Sequence, residues 1–175
     1  EGSKNLGASN TLALMGKKAG LAVLVHDVLK SFFVILIIRL CLKVPYNQVG
    51  WLMAAGGIFA VVGHIFPFYL KFKGGKGFAT YIGVVMGLDW RLFLGIVVLI
   101  VVAAFITDYI VAGTFSTITV APVYFLFRQE WLVAAVLLAG SLLILYKHRE
   151  NIVSIKNGKE MKVRSAFANK YKKSA

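Results

Sequence analysis

Long apolar runs separated by short polar segments dominate the chain, as in Leu92 to Ile106 and Trp131 to Leu145. They lack both the strict alternation of a half-buried strand and the single apolar stripe of a soluble helix, and they read as helices in lipid. Stretches suited to crossing about 30 Å of hydrocarbon fall at 19–42, 48–70, 91–107, 109–127 and 131–147, with a shorter one at 78–88. At about 1.5 Å per residue the 78–88 stretch cannot cross unaided. It is expected to be a partial helix, a tilted one in a thinned region, or one lengthened by the polar loop before it. The pattern predicts an all-α polytopic transmembrane bundle of about six spans.

Composition agrees, since 59% of the 175 residues are hydrophobic and 15% charged. If all six stretches cross, the glycine-rich start, the loop at 71–77 and everything after 147 emerge on one side. That side holds Lys4, Lys17, Lys18, Lys71, Lys73, Lys76, Lys147, Arg149 and the basic tail, against Lys43, Arg91 and Arg128 on the other. The positive-inside rule makes the crowded side cytoplasmic. The net charge of +13 is thereby tied to one membrane face and to anionic lipid, which argues against nucleic acid as a partner. Cys41 has no second cysteine to pair with, and the three histidines offer no metal-ligand spacing, so neither a disulfide framework nor a metal site is expected. The chain opens at Glu1 on a polar segment with no signal peptide ahead of it, and the expectation is that an N-terminal segment has been lost.

Asp27, Lys30 and Arg39 lie inside the first apolar run, where an unpaired charge costs at least a few kcal/mol. Asp27 and Lys30, three residues apart on one helical face, are expected to form an internal ion pair. His64 is expected to pack at the interface, and Asp108 to sit in a solvated turn. Three polar segments could carry chemistry. Glu1 to Asn10 packs Gly, Ser and Asn before a helix that Ser9, Asn10 or Thr11 could cap. Gly63 to Gly77 ends in three glycines and three lysines ahead of a helix beginning near Phe78, where close backbone approach, positive charge and the helix dipole favour a phosphate. It does not fit the Walker pattern, and a basic turn against lipid headgroups would look the same. Lys147 to Ile152 places His148 and Asn151 three apart at the rim of the last span, able to orient a carbonyl or phosphate oxygen.

Taken in order, Gly2-Ser3-Lys4-Asn5-Leu6-Gly7-Ala8-Ser9-Asn10, then Gly63-His64-Ile65-Phe66-Pro67 with Phe72-Lys73-Gly74-Gly75-Lys76-Gly77-Phe78-Ala79-Thr80, then Lys147-His148-Arg149-Glu150-Asn151-Ile152, the chain closely resembles the bacterial acyl-phosphate-dependent glycerol-3-phosphate acyltransferases, to about residue 160. Gly16-Lys17-Lys18 and Asp27 with Lys30 also look like family features. The resemblance implies transfer of a fatty acyl group from acyl phosphate to the 1-hydroxyl of glycerol 3-phosphate, giving lysophosphatidic acid and phosphate, with no cofactor. It implies a seven-span complete fold in the bacterial inner membrane and a functional link to a soluble enzyme that makes acyl phosphate. By motif match, Ser3 and Asn5 would line the phosphate site and Lys73, Gly74, Gly75, Lys76 and Gly77 would form the phosphate loop. His148, Asn151 and Ser3 would contact the reacting groups, and Glu150, Asp27 and Lys30 would give structural support. Residues 1–152 would form the acyltransferase domain and 153–175 a basic cytoplasmic tail.

Two departures from the family pattern stand out. The additional helix usual before the first motif is not in this chain, and Ala13 stands where the family usually has an arginine. Losing that charged hydrogen bond would cost about 1.5–3 kcal/mol. Lys4, where the family usually has glycine, is expected to replace part of the contact, supplying charge without the bidentate fork. A divergent paralogue of weak or redirected activity would fit Ala13. A small transporter of anionic metabolites would use the same loop as an entry site, though no internal repeat supports it.

Overall fold

The structure is a computed structural model that describes residues 7–43, 45–160 and 162–164. Its helices are α1 (Ala8–Met15), α2 (Lys17–Leu42), α3 (Tyr46–Ile65), α4 (Phe78–Leu88), α5 (Trp90–Thr107), α6 (Ile110–Phe127), α7 (Trp131–Lys147) and α8 (Arg149–Lys156), with a short 3-10 turn at Phe68–Leu70. Among the described residues, four stretches are long and apolar enough to cross a membrane: Lys17–Leu42, Gln48–Leu70, Trp90–Thr107 and Ile110–Phe127. α7 and α8, bent by 49° at His148, make a fifth if counted as one broken span. The apolar runs thus mark the helices to within two residues at most ends, except that the 48–70 run is divided by Phe66 and Pro67.

α4 has 11 residues and is about 16 Å long, half of what a span needs. Its surroundings explain how it persists: Thr80, Tyr81, Ile82, Gly83, Val84, Val85 and Leu88 are all buried. α2 and α3 pack along it, and the Tyr81 hydroxyl meets Ser141 Oγ of α7 at 2.9 Å. A short helix is tolerated at membrane depth when protein rather than lipid surrounds it. The α2 contact is very close, because a Cβ on Gly83 would lie 2.0 Å from the Val28 carbonyl oxygen and 2.3 Å from Ser31 Oγ. Ser31 Oγ itself donates to the Thr80 carbonyl at 2.6 Å. The core is otherwise aliphatic and aromatic, centred on Ile35, Met53, Val61, Tyr81, Val84, Phe125, Leu137 and Ile144.

The chain reverses after each long helix, so polar groups gather at two ends. At one end Asp89 caps α5, accepting from the Arg91 and Leu92 amides at 2.8 and 3.2 Å. Its second oxygen accepts from the Tyr124 hydroxyl at 2.7 Å, and Arg128 pairs with Glu130 at 2.8 Å beside it. The other end carries the loop before α4, the α5–α6 connection, and α8 with the residues after it. There Asp108, in the left-handed conformation at φ 64°, accepts the Val163 amide on its carbonyl at 2.8 Å and the Arg164 amide on Oδ1 at 2.9 Å. The expected solvated turn is therefore a dock for the segment that follows α8.

The first segment also departs from expectation. α1 begins at Ala8 with extended Gly7 as its cap and no side-chain cap. Asn10 and Thr11 are thus inside the helix, and the Thr11 hydroxyl donates back to the Gly7 carbonyl at 3.2 Å. Ser9 is inside it too.

Candidate active site

The loop between α3 and α4 is folded back on the end of α3. The Gly74 amide donates to the Ile65 carbonyl at 3.1 Å and the Gly75 amide to the His64 carbonyl at 3.2 Å. These are carbonyls that a helix C-terminus leaves without partners. Only glycine permits such an approach, since a Cβ at Gly74 would lie 2.0 Å from the His64 carbonyl oxygen and one at Gly75 would lie 2.1 Å from His64 Nε2. Gly77 then turns the chain into α4 at φ 86°, which a residue with a Cβ rarely adopts. Of the three loop glycines that the sequence pattern offers to a phosphate, Gly74 and Gly75 have their amides used within the protein. The amides with no acceptor among the described residues belong to Lys76, Gly77 and the first turn of α4, and their partial charges make that turn the positive pole of the helix.

Lys76, half-buried, reaches from this loop to the first turn of α8, where its ammonium donates to the Asn151 carboxamide oxygen. Asn151 Nδ2 in turn donates to Glu160 Oε1 at 2.8 Å. The neighbouring Lys147 ammonium lies 5.3 Å from the ring centre of Phe66, a second tie between the two segments. Burial holds the Lys76 pKa below the usual lysine value, against the opposing pull of Glu150 and Glu160.

His148 is buried in the bend between α7 and α8, with 6% of its surface exposed and the ring of Phe115 set edgewise at 6.3 Å. Its Nδ1 lies 2.9 Å from the Ile144 carbonyl. A carbonyl only accepts, so Nδ1 carries the proton and Nε2 keeps its lone pair. Burial pushes the pKa of His148 down to about 4, helped by the positive charge of Lys76 and opposed by the Ile144 hydrogen bond. The ring is neutral at physiological pH.

The sequence-predicted residues divide accordingly. Lys76, Gly77, His148 and Asn151 come together, while Gly74 and Gly75 serve as the loop's fastening and Lys73 is exposed. Ser3, Lys4 and Asn5 lie outside the described residues. Glu150, expected to brace the loop, is exposed and acts on Lys76 only through its charge. The bracing carboxylate is Glu160, because Asn157 and Gly158, the latter at φ 67°, turn the chain back toward Asn151. The ion pair of Asp27 and Lys30 is present at 2.7 Å, and His64 joins it.

A family model described as glycerol-3-phosphate acyltransferase matches residues 1–158. The chain belongs to the glycerol-3-phosphate acyltransferase family. A relative so named from Bartonella henselae is 37% identical over 163 residues, which cover 93% of this chain and 76% of the relative. One from Listeria monocytogenes is 32% identical, covering 93% and 81%. The crystal structure of PlsY (YgiH), an integral membrane glycerol 3-phosphate acyltransferase, in its glycerol 3-phosphate form superposes with a TM-score of 0.83 at 30% identity, over 92% of this chain and 79% of that one. The lysophosphatidic acid form gives 0.80 at 29% identity, over 90% and 79%. With an integral membrane enzyme as its structural counterpart and several apolar helices of its own, this family member is a multi-pass membrane protein.

Proposed function

We propose that this protein transfers a fatty acyl group from acyl phosphate to the 1-hydroxyl of glycerol 3-phosphate, forming lysophosphatidic acid and inorganic phosphate, from the cytoplasmic side of the bacterial inner membrane. The observation that carries this reading is the contact of Lys76 with Asn151 beside a neutral, buried His148. It joins the two motif segments into one cationic site at the end of the bundle. That end is also the more basic one, as the positive-inside rule requires of a cytoplasmic face.

In this reading a substrate phosphate displaces Asn151 from Lys76 and takes the free amides of Lys76, Gly77 and the first turn of α4, with Ser3, Asn5 and Lys4 completing the site. The hydroxyl oxygen attacks the acyl carbonyl carbon, the bond from that carbon to the phosphate oxygen breaks, and the phosphate leaves. His148, with a pKa of about 4, is a poorer proton acceptor than a phosphate monoester, whose second pKa is about 6. The hydroxyl proton therefore goes to a phosphate oxygen, and Nε2 of His148 orients the hydroxyl by accepting its hydrogen bond. Asn151, released from Lys76, orients the acyl carbonyl. No cofactor enters, and the donor comes from a soluble enzyme that makes acyl phosphate. Residues 1–152 carry the reaction and the segment after them contributes Glu160.

The test is the donor: purified protein in lipid, given glycerol 3-phosphate and synthetic acyl phosphate, releases one inorganic phosphate for each lysophosphatidic acid formed. Equal turnover with an acyl thioester and none with acyl phosphate would overturn the donor assignment.

A further inference from the structure

Between α2 and α3 the side chains of Asp27, Lys30 and His64 meet, with the exposed His26 ring 3.8 Å from the same carboxylate. Asp27, 5% exposed, takes a hydrogen bond from the Lys30 ammonium at 2.7 Å. The same ammonium lies 2.5 Å from His64 Nδ1 on α3, and His64 Nδ1 is 3.4 Å from Asp27 Oδ1. An ion pair between Asp27 and Lys30 would by itself satisfy the buried carboxylate, so the third partner needs its own reason. An ammonium only donates. His64 Nδ1 must therefore be the acceptor, and the ring proton sits on Nε2. The alternative, Nδ1 donating to Asp27 Oδ1 at 3.4 Å, would set its N–H against the Lys30 ammonium at 2.5 Å, which electrostatics disfavours.

Nε2 is the atom that occupies the space where Gly75 would carry a side chain, 2.1 Å from an ideal Cβ. The His64 and Ile65 carbonyls accept the Gly75 and Gly74 amides. The backbone thus holds Gly74 and Gly75, and the ring faces Gly75, immediately before the amides left free for a ligand.

We propose that Asp27 and Lys30 lock His64 as its Nε2–H tautomer and hold its ring against Gly75, making His64 the positioning residue of the loop and fixing the direction of the Lys76 to Thr80 amides. The relay runs from α2 through α3 to the loop and touches no substrate. It rests on the loop's being the phosphate site, and two separate readouts keep the two ideas apart. One is hydrogen exchange at the Gly74 and Gly75 amides of the full chain in detergent or lipid, which reports loop attachment with no substrate present. The other is the division of any kinetic effect between KM for glycerol 3-phosphate and kcat.

A glutamine at position 64 can place its amide N–H where Nε2 lies, whereas an asparagine reaches only to the Nδ1 position. His64→Gln fills the Nε2 position but offers Lys30 no acceptor at the Nδ1 position, so it is expected to behave as Lys30→Met does. His64→Asn and Lys30→Met are expected to speed exchange at both amides and raise KM about tenfold or more, the loss of a charge-assisted contact, with a smaller change in kcat. Lys30→Arg, which retains a charged donor, restores the exchange pattern and so separates loss of the relay from loss of the fold. Unchanged exchange at Gly74 and Gly75 in both His64→Asn and Lys30→Met would overturn the proposal. If exchange responds while KM does not, the relay fastens the loop without directing its amides at a phosphate, and the proposal fails in that part.

Discussion

The Lys76 ammonium donates its hydrogen bond to the carboxamide oxygen of Asn151, 75 positions further along the chain. Two polar segments separated by four helices thereby close into one site. In the proposed complex this ammonium passes from Asn151 to the substrate phosphate, a charge-assisted hydrogen bond worth about 1.5–3 kcal/mol. Lys76→Ala is expected to lower kcat/KM for glycerol 3-phosphate by roughly tenfold to a hundredfold or more on that basis. Lys76→Ala and Asn151→Ala combined should cost less than the sum of the two, since both act on one network. A double-mutant cycle on kcat/KM checks this; strict additivity would mean the two residues work apart.

Glu160 anchors the other side of Asn151 at 2.8 Å. Glu160→Ala frees that carboxamide and removes a negative charge near Lys76. The expected outcome is a severalfold loss in kcat/KM, while Glu150→Ala, at an exposed position without a hydrogen bond, has a smaller effect. Side-by-side kinetics of the two variants distinguish them, and the opposite order would return the bracing role to Glu150.

Gly83 carries the α2–α4 contact. Even one added methyl group would meet the Val28 carbonyl at 2.0 Å, backbone that cannot swing aside. Gly83→Ala is expected to destabilise the protein by about 1–3 kcal/mol, the usual cost of overpacking, and Gly83→Val by more. Thermal unfolding in detergent measures both. Gly95, where an added Cβ meets nothing within 4 Å, is the matched control.

His148 sets a pH window. Its folded pKa of about 4 lies below the unfolded value of about 6.5, so between those pH values the unfolded chain binds more protons. The stabilisation is complete above pH 6.5 and is lost as pH falls toward 4. Unfolding temperature should fall across that interval more steeply in the wild type than in His148→Gln. Parallel slopes would mean the ring is not buried in its neutral form.

Most of the helical scaffold was legible because each long span is an apolar run closed by a charge, a glycine or a proline, and those features act locally. The short 78–88 stretch was recognisable as an anomaly, yet only its burial among α2, α3 and α7 explains it. A hint was present in Gly83 and Gly87, spaced four apart on one face, a pattern that lets helices approach closely in membranes. The site was half legible. Lys76, His148 and Asn151 stand in motifs of distinctive composition. Glu160 does not, since it lies in a lysine-rich tail that reads as solvated, and its place depends on the reversal at Asn157 and Gly158. The partnership of His64 with Lys30 spans 34 residues and two helices, and the sequence holds no local sign of it. The fastening of Gly74 and Gly75 to α3 was hidden for the same reason.

The family resemblance marks Ala13, in α1, as a departure, and this departure bears directly on whether the site works as described. The most direct measurement is conversion of labelled glycerol 3-phosphate to lysophosphatidic acid by the purified protein in liposomes with acyl phosphate, beside Lys76→Ala and Ala13→Arg. The account predicts turnover by the wild type, little or none by Lys76→Ala, and at most a lower KM for Ala13→Arg. A silent wild type with label accumulating inside the liposomes, or a wild type active only after Ala13→Arg, would contradict it.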